Sequence, residues 1–215
     1  MSANQYCFDQ PELRKWYLDL AHGFDPRPLS SGGGGFRGGL GFVTEVKIPA
    51  GSTLFRIGHS NYEQEANLSS PWWLLENSFY EVLSAAERSS GELEGVFRMK
   101  CAVAHAFGRS DTVFQVRTND RLRAFGGRGR YVEDTAEGFN APWVGAISKQ
   151  QYPGQVWMGA SEIMQVFIPG LRDRDNRPTA LASSAISLVE RFKVSEYIPV
   201  RRRRADAFSA FGAEN

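Results

Sequence analysis

Phe42-Val43-Thr44-Glu45-Val46-Lys47-Ile48 is followed by Pro49-Ala50-Gly51 and then by Ser52-Thr53-Leu54-Phe55-Arg56-Ile57. Two runs rich in β-branched and aromatic residues around a Pro/Gly turn read as strand, tight turn, strand. Loop chemistry follows from Gly58-His59-Ser60-Asn61 to Ser70-Pro71. Trp72-Trp73-Leu74-Leu75 then reads as a short strand feeding a helix that carries Phe79, Val82, Leu83 and Ala86 at helical spacing. A second helix is expected from Glu92 to Phe107, with Leu93, Val96, Phe97 and Cys101 inward. Further strands are expected at Thr112–Val116, Gln155–Met158 and Ile163–Ile168. Strands before and after a central helical pair, without strict βαβ alternation, predict an α+β fold: a single domain with a mixed or antiparallel sheet flanked by helices.

On the N-terminal side, Asp9-Gln10-Pro11-Glu12 reads as a helix start with Asp9 as N-cap. Leu13, Trp16, Tyr17 and Leu20 share one face, and His22-Gly23 ends the helix. Pro26 to Gly41 contains GGGGFRGGLG and reads as a loop or a place of close backbone approach. Towards the C-terminus, Phe125 to Gly154 is turn-rich and long enough to read as a working loop. Thr179 to Phe192 reads as a last helix and Val194 to Val200 as a last strand. The expected organisation is therefore residues 1–41 as N-terminal helix and Gly-rich loop, 42–200 as the main α+β domain, and 201–215 as a basic polar tail.

Lys+Arg 25 against Asp+Glu 24 leaves a net charge of +1, so no whole-molecule field draws the chain to nucleic acid or anionic lipid. Cys7 and Cys101 lie far apart and match no zinc spacing, which predicts a reducing compartment and no metal. The start MSANQYCFDQ has no apolar stretch of signal-peptide type, and no window is apolar enough to span a bilayer. The expectation is a cytoplasmic protein with no membrane partner.

Three segments carry candidate chemistry. In Leu54-Phe55-Arg56-Ile57-Gly58-His59 a strand hands an arginine and a histidine to a loop. An arginine inside an apolar strand needs a partner, either an internal carboxylate or a ligand phosphate. In Ser69-Ser70-Pro71-Trp72-Trp73 two adjacent indoles on a strand face opposite ways, one towards the core and one towards a cleft. Ser161-Glu162-Ile163-Met164-Gln165-Val166-Phe167-Ile168-Pro169-Gly170 sets polar residues ahead of and within an apolar strand.

Taken together, over roughly residues 42 to 170, these segments resemble the three-part signature of the ADP-ribosyltransferase-like fold, whose members bind and cleave NAD. The resemblance implies that Arg56 holds the dinucleotide phosphates or neighbouring ribose, that His59, Ser70 and Trp72 or Trp73 help form the NAD site, and that Gln165 or Glu162 contacts the nicotinamide ribose. It implies NAD as substrate, no metal, a protein or nucleic-acid acceptor for transferase members, and a neutralising immunity protein for toxin members. It also implies delivery to a target-cell cytosol by a route without a signal peptide. Arg56, one tryptophan and Gln165 or Glu162 are then expected on one cleft rather than on opposite sides of the sheet. The family's Glu-x-Glu or Gln-x-Glu doublet is missing: Glu162 stands three residues before Gln165. With Gln165 in the family position, NAD hydrolysis is favoured over transfer; with Glu162, transfer stays open.

Two rival readings use other residues. Arg121-Leu122-Arg123-Ala124-Phe125-Gly126-Gly127-Arg128-Gly129-Arg130 and Arg201 to Arg204 would suit a non-catalytic module that binds RNA or an acidic protein. A structural or assembly protein would use the Gly-rich segment and tail as docking arms.

Overall fold

The computed structural model describes residues 1–27, 39–89, 93–103, 110–130, 132–133, 156–157 and 163–196. Helices α1 (Tyr6–Asp9) and α2 (Pro11–Ala21) precede strands β1 (Leu40–Ile48) and β2 (Thr53–Gly58). After α3 (Gln64–Leu68) come β3 (Trp72–Leu75), α4 (Glu76–Ser89) and α5 (Leu93–Cys101). Then follow β4 (Thr112–Thr118), β5 (Leu122–Gly129), β6 (Val132–Glu133), β7 (Val156–Trp157), β8 (Met164–Phe167), α6 (Ala180–Ala185) and β9 (Ile186–Lys193). Seven strands form one sheet in the order β1-β5-β8-β3-β2-β4-β9, every neighbouring pair antiparallel, while β6 pairs with β7 apart from it. The α+β class and the antiparallel sheet flanked by helices agree with the sequence.

The sheet cannot lie flat. β4 and β5 are four places apart in it, about 19 Å at ~4.8 Å per strand, yet the link from Thr118 to Leu122 is four Cα steps, about 15 Å at full stretch. The β1–β5 arm therefore folds over the β2–β4 arm. Ile48, Leu122 and Ala124 meet Leu54 and Val116 in one buried cluster, with Trp73 and Val166 at the bend. The two short links are laced together: the Gly51 N–H donates to the Thr118 carbonyl at 2.7 Å, and the Thr118 N–H to the Ser52 carbonyl at 3.0 Å. The Pro49-Ala50-Gly51 turn consequently carries the chain from one arm to the other instead of closing a hairpin, since β1 pairs with β5 and β2 with β3 and β4.

Helices cover the outer face. α4 and α5 bury Phe79, Val82, Leu83, Ala86, Leu93 and Val96 against Phe55, Ile57, Leu74 and Val113, as their helical spacing predicts. The N-terminal helices seat Phe8 and Tyr17 on Leu40, Phe125 and Phe167. Asp9 does not cap α2: it lies in α1, where it accepts from Gln5 Nε2, and Gln10 takes the cap position before Pro11.

Two further expectations change. The basic glycine-rich stretch from Arg121 to Arg130 is largely strand β5, held between β1 and β8. Its glycines are there for packing: a Cβ on Gly127 would lie 2.7 Å from the Gly41 carbonyl. Arg123 binds Glu45 and lies over the Phe8 ring, so part of its charge is spent inside the fold. The expected last helix is only α6; from Ile186 the chain pairs along β4 as an edge strand, exposing alternate residues. Ile186, Val189 and Phe192 recur at helical spacing, but pairing along β4 overrides that pattern and leaves Val189 exposed at a bulge. The expected strand from Val194 does not follow in the described residues 194–196. Most of the Gly-rich segment, most of the expected working loop and the Arg201 to Arg204 run lie outside the described residues.

Candidate functional site

β2 and β3 pair only at Leu54–Leu75 and Phe55–Leu74 and then part company. β2 continues along β4 as far as Gly58–Thr112. β3 stays with β8, where the Pro71 carbonyl accepts the Ile168 N–H at 2.8 Å. A cavity of about 330 Å³ opens beside this parting. It is bordered by the end of β2, by β3 and β8, by the end of α5, and by Gly23, Phe24 and Asp25 after α2.

Arg56, His59, Trp72, Trp73 and Gln165 all border this cavity, while Ser70 is not among its lining residues. They enter it from different sides. Cross-strand partners share a face, so Phe55, Leu74 and Gln165 lie on the helix-covered face and Arg56, which alternates with Phe55 and Ile57, leaves from the other. Contrary to expectation, Arg56 and Gln165 lie on opposite faces of the sheet and share only the border of the cavity where the strands part. Its guanidinium spans the parting, with Nη1 donating to Ser70 Oγ and, at 3.3 Å, to the Trp72 carbonyl. Nε is buried with no partner among the described residues. Burial, with Arg172 adding repulsion, lowers the Arg56 pKa to about 10, so it remains a cation at neutral pH. The partners found for Arg56 are thus a hydroxyl and a carbonyl, both reached through Nη1.

The two tryptophans divide as β-alternation requires. Trp73 is 2% exposed in the folded-over core and donates from Nε1 to the Ser70 carbonyl. Trp72 is half-buried, its ring edge-on to Phe167 at 5.1 Å. His59 is buried and its ring lies 4.7 Å from that of Tyr62. The Asn61 backbone N–H donates to His59 Nδ1 at 3.1 Å; a donor there makes Nδ1 the acceptor, so the neutral ring carries its proton on Nε2. Asn67 braces this loop, accepting from the His59 N–H and donating to the His59 and Tyr62 carbonyls. Asp111 fastens the next residue through the Ser60 N–H and hydroxyl. Burial pushes its carboxyl up, but the Ser60 and Thr112 hydrogen bonds and the nearby His59 outweigh this and leave it below its ordinary value.

Gln165 Nε2 donates to the Cys101 carbonyl at 2.9 Å, which turns the amide oxygen away as an acceptor. That carbonyl is available because α5 ends there: Ala102 takes a positive φ of 53° and the Val103 N–H returns to the Arg98 carbonyl, a Schellman-type stop. A Cβ on Gly129 would lie 2.7 Å from Gln165 Nε2, so glycine there makes room for the amide. Glu162 lies outside the described residues.

Sequence reasoning missed Phe24, Asp25 and Tyr62. Asp25 is 8% exposed and is held by Arg27 through Nε at 3.0 Å and Nη2 at 2.6 Å. The only local signal was an Asp-Pro-Arg directly after a helix end, a common turn composition. Among the described residues, no cluster of three or more His, Cys, Asp or Glu could hold a metal ion, and no helix is long and apolar enough to cross a membrane. Both cysteines are buried and free.

No family model matches the chain, and no curated protein matches its sequence. Among solved structures it is similar to one titled "Rhs1-CT in complex with cognate immunity protein RhsI1", at 12% identity and a TM-score of 0.41, over 75% of this chain and 88% of that one. A likeness of this degree assigns neither a fold family nor an activity.

Proposed function

We propose that the cavity binds NAD and that the protein cleaves the nicotinamide–ribose bond, as an ADP-ribosyltransferase-like toxin or effector. The observation that supports this most is the adjacency of β8, β3 and β2: the three segments that carry the family resemblance sit on neighbouring strands and border one cavity. The roles shift from those first expected. Trp72 walls the nicotinamide ring, the Gln165 amide oxygen accepts from a ribose hydroxyl, and His59 borders the ligand from the end of β2. Arg56, at the cavity border, and Ser70, behind it, hold the β3 entry that carries Trp72.

The chemistry asks little of a general acid. The C1′–N1 bond breaks with its electron pair going to the cationic nicotinamide nitrogen, which leaves neutral, and a ribosyl cation remains. Water then adds to C1′ and its proton passes to solvent, giving ADP-ribose; in transfer, an acceptor side chain takes the place of water. Catalysis lies in orientation and in stabilising the cation. Gln165, a neutral group at the cavity, favours hydrolysis.

The test is nicotinamide release from NAD by the purified protein. Release that falls at least about 100-fold in Trp72→Ala and Gln165→Ala, with both variants folded, supports the reading. Labelled ADP-ribose recovered on lysate proteins would make it a transferase. A folded wild-type protein that neither releases nicotinamide nor changes its tryptophan emission with NAD would remove NAD from consideration.

A further inference from the structure

Negative charge near C1′ stabilises a ribosyl cation, and Glu162, the carboxylate expected from the sequence, lies outside the described residues. Gln165 is neutral and Arg56 is a half-buried cation. Among the described residues, Asp25 is the only carboxylate bordering the cavity. We infer that Asp25 supplies the charge that faces the ribosyl cation, a role resting on the NAD reading above.

Local structure delivers it there. α2 ends at His22, and Gly23 turns the chain at a φ of 85° that few side-chain-bearing residues adopt. The Phe24 N–H caps the helix by donating to the Asp19 carbonyl at 2.9 Å. Phe24 and Asp25 are thereby directed to the cavity, Phe24 37% exposed at its rim and Asp25 buried. Arg27 then orients the carboxylate: its backbone N–H and Nε both reach Oδ1, at 3.1 and 3.0 Å, and Nη2 reaches Oδ2. A preoriented charge acts on a developing cation without reorganising during the reaction, the condition under which such groups contribute most.

The experiment uses the full chain with Asp25→Asn and Asp25→Ser, each shown folded by its thermal transition. NAD affinity is read from tryptophan emission and turnover from nicotinamide release. The expected result is affinity within about threefold of wild type and turnover lowered about 100-fold or more, with Asp25→Glu recovering part of it. Two results would overturn the assignment: turnover at the wild-type rate in either folded variant, or affinity and turnover lost in parallel, which would make Asp25 a binding or structural residue. Either result with an active wild type leaves NAD cleavage standing. A wild type with no nicotinamide release removes the reaction itself, and the role of Asp25 with it.

Discussion

Trp72 and Trp73 are neighbours in sequence and lie on opposite faces of β3. Trp73 falls between the two arms of the folded-over sheet and is sealed there. Trp72 faces the side covered by helices and stays half-buried beside a cavity. One face closes because the sheet folds on itself and supplies both walls. The other is roofed by separate segments, α1 and α2 from the N-terminus and α4 and α5 from the middle, and the cavity lies where the ends of α2 and α5 meet the parting strands.

The sharpest way to break this contrast is to remove each indole. Trp73→Ala is expected to cost about 3–5 kcal/mol, the range for emptying an aromatic site in a closed core. Trp72→Ala is expected to cost about 1–2 kcal/mol, since part of its surface is already open to the cavity, and to abolish NAD-dependent emission changes. Urea unfolding of both variants reads the difference directly. Equal losses would mean that the helix-covered face is packed as tightly as the folded-over one.

A second difference is chemical. Cys7, Tyr17 and Cys101 belong to the buried clusters of the helix-covered side, and Tyr6 bonds to Cys7, whereas Arg56 leaves the sheet on the opposite face. Burial raises the Cys7 thiol from 9.0 to about 11 and the Tyr6 phenol from 10.0 to about 12, and it pushes Tyr17 and Cys101 up as well. Groups with raised values favour the folded state fully below their unfolded pKa, and that contribution is lost as pH rises through the folded one. Arg56 has the opposite sign, its burial cost being relieved above about pH 10. Stability is therefore expected to fall from about pH 9, where the thiols act first, by about 2–3 kcal/mol by pH 11 from Cys7 alone. Cys7→Ala should make the decline shallower, since Cys101 still begins to act at the same pH. Thermal transitions from pH 8 to 11 check this, and an unchanged slope in Cys7→Ala would remove Cys7 as a source.

The same two faces explain what could be read from the sequence. Elements whose spacing meets a continuous wall were legible: Phe79, Val82, Leu83 and Ala86 on α4, and the opposed tryptophans of β3. The fold-over was not, because it follows from strand order, and Pro49-Ala50-Gly51 suits a hairpin as well as a passage between arms. β5 was hidden by its glycines, which read locally as loop and are required by contacts from β1, far away in sequence. At the site, Arg56, His59, Trp72 and Gln165 were legible because each lies in or beside a strand of apolar residues. Asp25 was not, since only the folded chain brings a turn after α2 to β3.

The smallest test concerns the end of α5. Ala102 sits at a φ of 53° with its side chain buried at the cavity border. A left-handed alanine costs about 1–2 kcal/mol, while glycine gives back about 0.5–1 kcal/mol through its freer unfolded chain. Ala102→Gly is therefore expected to stabilise by about 0.5–1 kcal/mol, visible as a higher melting temperature. The strain has a purpose only if the methyl group holds the Cys101 carbonyl where Gln165 meets it. Higher stability with lower nicotinamide release would show that the strained residue serves the site. Higher stability with unchanged release would confine the role of Ala102 to ending the helix. Lower stability would mean that the lost contacts of the methyl group outweigh the relieved backbone, placing this corner with the tightly packed face and not with the open one.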